Sequence, residues 1–471
     1  MNSGNQPTSP GLAPYTPNFL RRLQRGLGSW LNLLSEWDFR IPLGSVQFLG
    51  LNLFLVNEPA LVRRLMVDEV EAFPKHPYTL WMLEPLIGRG VFSVNGQEWA
   101  QQRVLVDQAL QVAQLRRVFP QMQAACGASM QRLGGAVGAM DQEVAVEMGE
   151  EMTLYTADVI VRTILSKALE PGEAAEIFAA FGRYQKRAGR ALMLRFLRLP
   201  QVALQRYLAT HAAPIRAWIA SAVDERLQKP FPGQHNDLLA ALIAARDPQT
   251  GARFDRDALV DQVCVLFLAG HETSASALAM ATYLLSRFPL AQQRLHQEVE
   301  AIQQARRADG QDPAASLSID DLRQLPYGSA LFSETLRLYP PVSFFIREAA
   351  QDSELVDRLC PMRSLVTISP WVIHRHEHHW SDPNGFRPER FLADTASPQE
   401  KQWAKDAFLP FGLGPRKCPG AAFALQEALL VLAELVRRYE LLPEPGHQPD
   451  LVARLTLRSR NGVRVRLRNR P

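Results

Sequence analysis

The sequence predicts a mainly α-helical fold with a smaller β portion, of the α+β class, and three observations carry that expectation. Apolar residues recur at helical spacing from about residue 98 to about residue 300. A stretch near 342–375, "VSFFIREAA" through "SLVTISPWVI", is rich in β-branched and aromatic residues. The tail "VRVRLR" alternates Val and Leu with Arg, the period of a half-buried strand.

From the amino terminus, residues 1–39 read as a partly flexible extension whose first 17 residues are dense in proline. Residues 40–471 read as a single domain, because no Gly/Ser-rich linker, internal repeat or low-complexity tract interrupts them. "IPLGSVQFLGLNLFLV" carries Gly, Ser, Gln and Asn among its apolar residues, so it reads as two short strands and not a membrane helix. "EPALVRRLMVDE" follows as a short amphipathic helix opened by a Glu-Pro pair. Residues 98–118 place Trp99 and Arg103 one turn apart on one helix face. The apolar run from about 259 to 286 predicts a long helix. "PGAAFALQEALLVLAELVRR" predicts another. Asn461-Gly462 is the pair a two-residue hairpin prefers, and the Arg row after it reads as a solvated strand face.

The chain is 47% hydrophobic, enough for a large core, with a formal charge of +4 and a pI near 8.9. That balance is too mild to argue for nucleic acid. The cations are nearly all Arg, as a GC-rich genome would give. Cys126, Cys264, Cys360 and Cys418 are scattered without a CxxC pair. They speak against a disulfide framework or zinc site and fit a reducing cytoplasm. No charged n-region followed by an apolar run marks a signal peptide.

Four stretches carry chemistry. In "FGLGPRKCPG", residues 411–420, Cys418 stands at the mouth of a predicted helix beside Arg416 and Lys417. The positive helix end and both cations favour a thiolate. A buried structural cysteine and a nucleophilic cysteine are the other readings, and no nearby His supports the nucleophile. In "FLAGHETSAS", residues 267–276, Gly270 interrupts an apolar helix at a cost of roughly 1 kcal/mol relative to Ala. Glu272 and Thr273 put a carboxylate and a hydroxyl in apolar company, which points to a proton-carrying pair. In "SETLRLYPP", Glu334 and Arg337 sit at i, i+3 and can pair. In "FRPERF", Arg390 can join them.

In this order the four stretches resemble the cytochrome P-450 superfamily of haem-thiolate monooxygenases, in its soluble bacterial form. Phe411, Gly414, Arg416, Cys418 and Gly420 match its F-x-x-G-x-R-x-C-x-G loop. Ala269, Gly270, Glu272, Thr273 and Ser274 match its oxygen-activation helix, Glu334 and Arg337 its ExxR motif, and Pro388-Glu389-Arg390-Phe391 its meander. Trp99-x-x-x-Arg103 matches its third-helix motif, and the likeness spans roughly 40–468. The resemblance implies haem b between the oxygen-activation helix and the cysteine loop, with Cys418 as the axial ligand of the iron. It also implies that Gly414 and Gly420 let the loop approach the porphyrin, that Phe411 shields the sulfur, and that Trp99, Arg103, Arg347 and Arg416 hold the propionates. Ala269 and Gly270 would line the cofactor, Gly270 opening the helix for dioxygen. Thr273 would hydrogen-bond the oxygen and Glu272 would relay protons. Glu334, Arg337 and Arg390 would form a structural network.

The resemblance further implies a pocket walled by Tyr78, Leu80, Trp81, Met82, residues near 176–205, Phe267, Val342, Phe344 and Phe345. That inventory suits a terpenoid, steroid, fatty acid or polyketide of secondary metabolism, hydroxylated or epoxidised. No flavin or iron–sulfur domain is attached, so electrons from NAD(P)H would arrive through a separate ferredoxin or flavodoxin and its reductase. No membrane anchor and a cytoplasmic location are expected. A peroxide-driven relative and a non-catalytic haem sensor are the alternatives. The kept Glu272-Thr273 pair argues against the former, and the lack of an output domain against the latter. Two departures from the family pattern stand out. "HRHEHHW" reads as a polar surface loop and not a metal site, lacking helical H-E-x-x-H spacing. His271 reads as a second proton carrier, a substrate contact or filler facing solvent, and filler is the favoured reading.

Overall fold

A computed structural model describes residues 19–470 except 27, 49, 139–141, 170, 197–199 and 229–235, so most of the expected extension lies outside it. In chain order the helices are α1 Phe19–Gly26, α2 Pro59–Arg63, α3 Pro77–Ile87, α4 Gly96–Ala109, α5 Val112–Val137, α6 Met148–Leu165, α7 Pro171–Phe196 and α8 Gln201–Gln228. They continue with α9 Leu238–Ala244, α10 Arg256–Arg287, α11 Pro289–Ala308, α12 Pro326–Leu338, α13 Pro370–Ile373, α14 Pro398–Ala407 and α15 Ala421–Arg438. The strands are β1 Leu43–Phe48, β2 Leu51–Val56, β3 Val144–Glu147, β4 Phe345–Glu348, β5 Ser353–Leu355 and β6 Arg358–Cys360. Then come β7 Leu365–Ile368, β8 Tyr439–Pro443, β9 Leu451–Ala453, β10 Leu457–Ser459 and β11 Arg464–Asn469. The predicted α+β class is the observed one. Pro59, Pro77, Pro289, Pro326, Pro370 and Pro398 each sit in the first turn of a helix, where a missing N–H costs nothing.

The chain forms two compact units. One holds Met1–Phe73, Cys126–Tyr155 and Thr273–Pro471, and the other Pro74–Ala125 and Thr156–Glu272. The first unit contains every strand. Its main sheet runs β1-β2-β7-β4, with β1–β2 the expected antiparallel pair and β2–β7 parallel. One apolar core lies under this sheet, gathering Phe54, Val56, Leu65, Phe73, Val366, Ile368, Trp380 and Leu409. A second gathers Leu31, Phe39, Met280, Leu284, Tyr339, Trp371 and Leu457. The second unit is helical. There Tyr184 of α7 donates its O–H to the Met82 carbonyl of α3 at 2.8 Å, and Phe181 of α7 stacks on Phe267 of α10.

The carboxy-terminal hairpin expected at Asn461-Gly462 does not form. β10 pairs with β9, while β11 lies between β8 and β3. Both edges of β11 are therefore filled by other strands, and the Asn-Gly turn serves as a connector. Asn461 accepts from the Asp450 backbone N–H at 2.7 Å and from the Ser459 hydroxyl at 2.8 Å. Gly462 takes the left-handed φ of +79° that such a turn needs. The Arg row does pair across the sheet, Arg466 with Glu444 at 2.9 Å and Arg468 with Glu440 at 2.5 Å.

The run "WVIHRHEHHW" also departs from expectation. Its start is helical (α13), capped by the Ser369 side chain. His374, Arg375 and His376 are buried, so this is not a surface loop. His374 Nδ1 bonds the Arg337 carbonyl at 3.2 Å, and its Nε2 accepts the Leu409 N–H at 2.8 Å. Arg375 lies 3.6 Å over the Trp371 ring. Glu377 pairs outward with Arg40 at 3.0 Å. Among the described residues no group of His, Cys, Asp and Glu could hold a metal ion. One described helix, α10, is long and apolar enough to cross a membrane, and 72% of its most apolar window is buried inside the protein.

Candidate active site around Cys418

Cys126, Cys264 and Cys360 are buried, and Cys418 is exposed. Burial pushes the Cys126 and Cys360 thiols up and the Cys264 thiol up to about 12, so these three are inert packing groups. The cysteine loop folds as its glycines dictate. Gly412 and Gly414 both have left-handed φ, +73° and +71°. A Cβ at Gly414 would lie 2.3 Å from the Met66 carbonyl oxygen, so backbone meets backbone there and no larger residue fits. A tight turn over Gly414–Arg416 follows, and the Cys418 N–H closes the loop on the Phe411 carbonyl at 2.8 Å. Gly420 caps α15 at an ordinary φ of −86°, where a Cβ would meet Cys418 Sγ at 3.8 Å. Within the chain itself, the absence of a side chain is a hard requirement at Gly414, against the Met66 backbone, and not at Gly420.

Two guanidiniums converge beside this loop. Arg347 on β4 is buried, and its Nε has no hydrogen-bond partner among the described residues. Burial first, and the positive charge of Arg416 second, pull it down to about 10. The Arg416 side chain is buried too, with Nη1 donating to the Phe73 carbonyl at 3.4 Å and Nη2 3.8 Å from Glu71.

Behind the loop lies a fully buried ionic cluster. Arg337 grips Glu334 through Nε at 2.7 Å and Nη2 at 2.8 Å, and donates to the carbonyls of His374, Pro383 and Gly385. Arg390 reaches Glu334 at 3.2 Å and donates to the carbonyls of Ser381 and Asp382. Glu334 lies between the two guanidiniums, Glu400 approaches Arg390 at 3.9 Å, and the backbone carbonyls add to the compensation. The three residues paired in the sequence reading are joined as expected.

On α10, Ala269 is exposed within a stretch where Leu268, His271 and Glu272 are buried. His271 does not face solvent. Its ring lies 5.1 Å from both Phe181 and Phe267, and its Nδ1 bonds the Phe267 carbonyl at 2.7 Å. A Cβ at Gly270 would fall 2.2 Å from Ile160 Cδ1, so the bare face of Gly270 admits α6. Glu272 accepts a hydrogen bond from the side-chain amide of Gln185 on α7. Thr273 is half-buried and Ser274 buried. On α4, Trp99 is buried, and Arg103 Nε pairs with Asp107 at 2.8 and 2.9 Å.

The expected pocket residues divide. Phe267 stacks in the aromatic core of the helical unit, against Phe181 and Trp218. Phe344 packs on Trp30, 6.1 Å between ring centroids, at the edge of an apolar core. Trp81 is buried, while Tyr78, Val342 and Phe345 are half-buried. Part of the expected segment 176–205 lies outside the described residues.

Sequence reasoning missed two groups. Gln185 carried no motif. Glu427 on α15 is fully buried near Ser274, and burial pushes its carboxyl up to about 8. Glu427 in "FALQEALLVLAELVRR" could have been flagged by its apolar neighbours.

Comparison with known proteins agrees with this geometry. The family model described as Cytochrome P-450 matches residues 39–463. Cyclooctatin synthase of Streptomyces melanosporofaciens is 31% identical over 83% of this chain and 81% of its own. Cyclooctat-9-en-7-ol 5-monooxygenase of the same organism is 27% identical, over 93% of this chain and 90% of its own. Pentalenene oxygenase of Streptomyces avermitilis is 28% identical, covering 98% and 96%. A crystal structure of a cytochrome P-450 superposes with a TM-score of 0.78 at 23% identity, covering 91% of this chain and 96% of that one. With its sequence matched almost end to end and its fold shared, the chain belongs to the cytochrome P-450 family and is a haem-dependent oxidoreductase that incorporates oxygen.

Proposed function

We propose that the enzyme hydroxylates or epoxidises an apolar small molecule of the terpenoid class, using one atom of dioxygen, with Cys418 as the thiolate that would hold the iron of haem b. The observation that carries the cofactor assignment is the buried pair Arg347 and Arg416. Burial and the neighbouring Arg416 charge depress Arg347, whose Nε has no partner among the described residues, and burial depresses Arg416. Buried cations persist when an anion pairs with them. Carboxylates suit the guanidinium fork, so haem propionates fit this bed. Cys418, the exposed cysteine two residues after Arg416, is the thiolate that would hold the iron.

When bound, haem iron supplies dioxygen activation, and thiolate donation favours O–O cleavage. The chain's own residues do the rest. Arg347 and Arg416 would hold the propionates, and the resemblance adds Trp99 and Arg103 to that role. Phe411 keeps water from the sulfur, and Gly414 sets the loop's height. Ala269, exposed on α10, would line the cofactor. Glu272 carries protons inward as a general acid, and the Thr273 hydroxyl passes them on. Glu334, Arg337 and Arg390 hold the loop's support rigid.

The terpenoid class is supported by relatives named for an alkene, pentalenene, and an alkenol, cyclooctat-9-en-7-ol. Electrons come from an acidic ferredoxin or flavodoxin, reduced by an NAD(P)H-dependent reductase and steered by exposed Lys417 beside Cys418. The test is a spectral titration of the purified ferric protein with terpenoids, steroids, fatty acids and aromatics. A saturable shift to high spin with terpenoids alone is the expected result. A shift with another class would replace the substrate assignment. A thiolate-type carbon-monoxide band surviving in Cys418→Ala would remove the ligand assignment.

A further inference from the structure

Glu272 is buried on α10, and a buried carboxylate needs donors. One donor is the side-chain amide of Gln185, which comes from a different helix, α7. The approach is built, because Phe181 lies one turn before Gln185 on the same α7 stripe. Phe181 stacks on Phe267 at 5.1 Å and 25° and meets His271 edge-on at 5.1 Å. The same stripe therefore carries the ring that seats α7 on α10 and the amide that grips the acid. Tyr184, the residue between turns, fixes the helix rotation through its bond to the Met82 carbonyl. Trp218 of α8 closes the cluster, 5.9 Å from Phe267.

The chemistry of an amide suits an acid that cycles between two states. Gln is uncharged and does not titrate near neutral pH. It donates through Nε2 to an ionised carboxylate and accepts through Oε1 from a protonated one. A Lys or Arg in its place would hold only the anion. A Leu would leave a carboxylate oxygen without this donor.

We propose that Gln185 is a positioning residue for the oxidation, holding the Glu272 carboxyl group for proton delivery and tying its placement to the seating of α7. The inference rests on the reading of Glu272 as the proton carrier. The test compares wild type, Q185L, Q185E, E272Q and the double variant Q185L/E272Q, all haem-loaded. The first readout is the share of electrons recovered in product against hydrogen peroxide, with a substrate chosen by the spectral titration. The second needs no turnover: the infrared carboxylate band of Glu272 in the ferric protein, with ¹³C-labelled Glu, assigned by its loss in E272Q.

The expected result is a shifted Glu272 band and roughly tenfold more peroxide per product in Q185L, the scale of one lost hydrogen bond. Haem content and spin-state response should be unchanged, and Q185L should add nothing in the E272Q background. Q185E, isosteric but unable to donate when ionised, should uncouple as well. If E272Q uncouples while Q185L and Q185E do not, or the Glu272 band stays put in Q185L, the positioning role is overturned and Glu272 keeps its role. If E272Q itself couples normally, the proton-carrier reading falls and the inference with it.

Discussion

Arg347 is buried with an Nε that meets no acceptor among the described residues and a like-charged neighbour in Arg416. In the haem-free protein this arrangement opposes folding; with a propionate beside it, it becomes a binding site. The two states should respond to mutation in opposite ways. R347L should leave the haem-free protein at least as stable as wild type, because it removes an uncompensated buried charge. The same change should speed haem loss by roughly tenfold to a hundredfold, the scale of one charge-assisted hydrogen bond. Haem transfer to an acceptor globin and thermal melts of both forms measure this. Unchanged haem loss would take Arg347 out of the cofactor bed. Cys418 and Arg416 were legible because a loop motif fixes both residue type and spacing. Gln185 was not, because its bond to Glu272 joins two helices far apart in sequence.

At the scale of elements, α10 was legible from its apolar run, while the job of its glycine was not. Gly270 was expected to open the helix for dioxygen, yet its bare side is filled by Ile160 of α6. Sequence alone cannot say which face of a helix a missing side chain serves. G270A should therefore act on packing. A methyl group 2.2 Å from Ile160 Cδ1 forces a shift, and overpacking of this kind costs about 1–3 kcal/mol. I160V or I160A should recover the loss in a double mutant; a melting temperature unchanged in G270A would show that α6 gives way freely. The Glu334–Arg337–Arg390 cluster sets a larger cost. R337A leaves Glu334 with only Arg390 and the Arg387 N–H, and three carbonyls without their donor, and should destabilise by about 3–5 kcal/mol. The failed hairpin at Asn461-Gly462 belongs to this scale too. A local turn signal lost to the longer pairings of β11 with β8 and β3.

Across the whole molecule, two fully buried groups shape stability against pH. His374 is pulled down to about 3, by burial first and then by Arg337 and Arg375. A lowered folded value gives stability that is complete above the unfolded value near 6.5 and lost as pH falls through about 3. Glu427 is raised to about 8 by burial. Its contribution is complete below its ordinary 4.5 and lost as pH rises through about 8. Between about 4.5 and 6.5 the two slopes oppose, so the combined contribution of His374 and Glu427 should be flat there and fall on both sides. E427Q should flatten the alkaline arm, gaining more than about 1 kcal/mol at pH 8, and leave the acid arm intact. An alkaline arm that persists in E427Q would assign it to other groups. The family and the reaction class were readable from motif order along the chain. The two titrating groups that govern this profile were not, because burial is a property of the fold.

His374 bonds the Arg337 carbonyl with one ring nitrogen and the Leu409 amide with the other. Only the tautomer protonated at Nδ1 can do both. The imidazole is thus a rivet between the helix that carries the ion cluster and the chain entering the cysteine loop. A second proton would evict the Leu409 amide. Acidification should then release the loop before the helices melt, so bleaching of the haem band should precede loss of far-ultraviolet ellipticity.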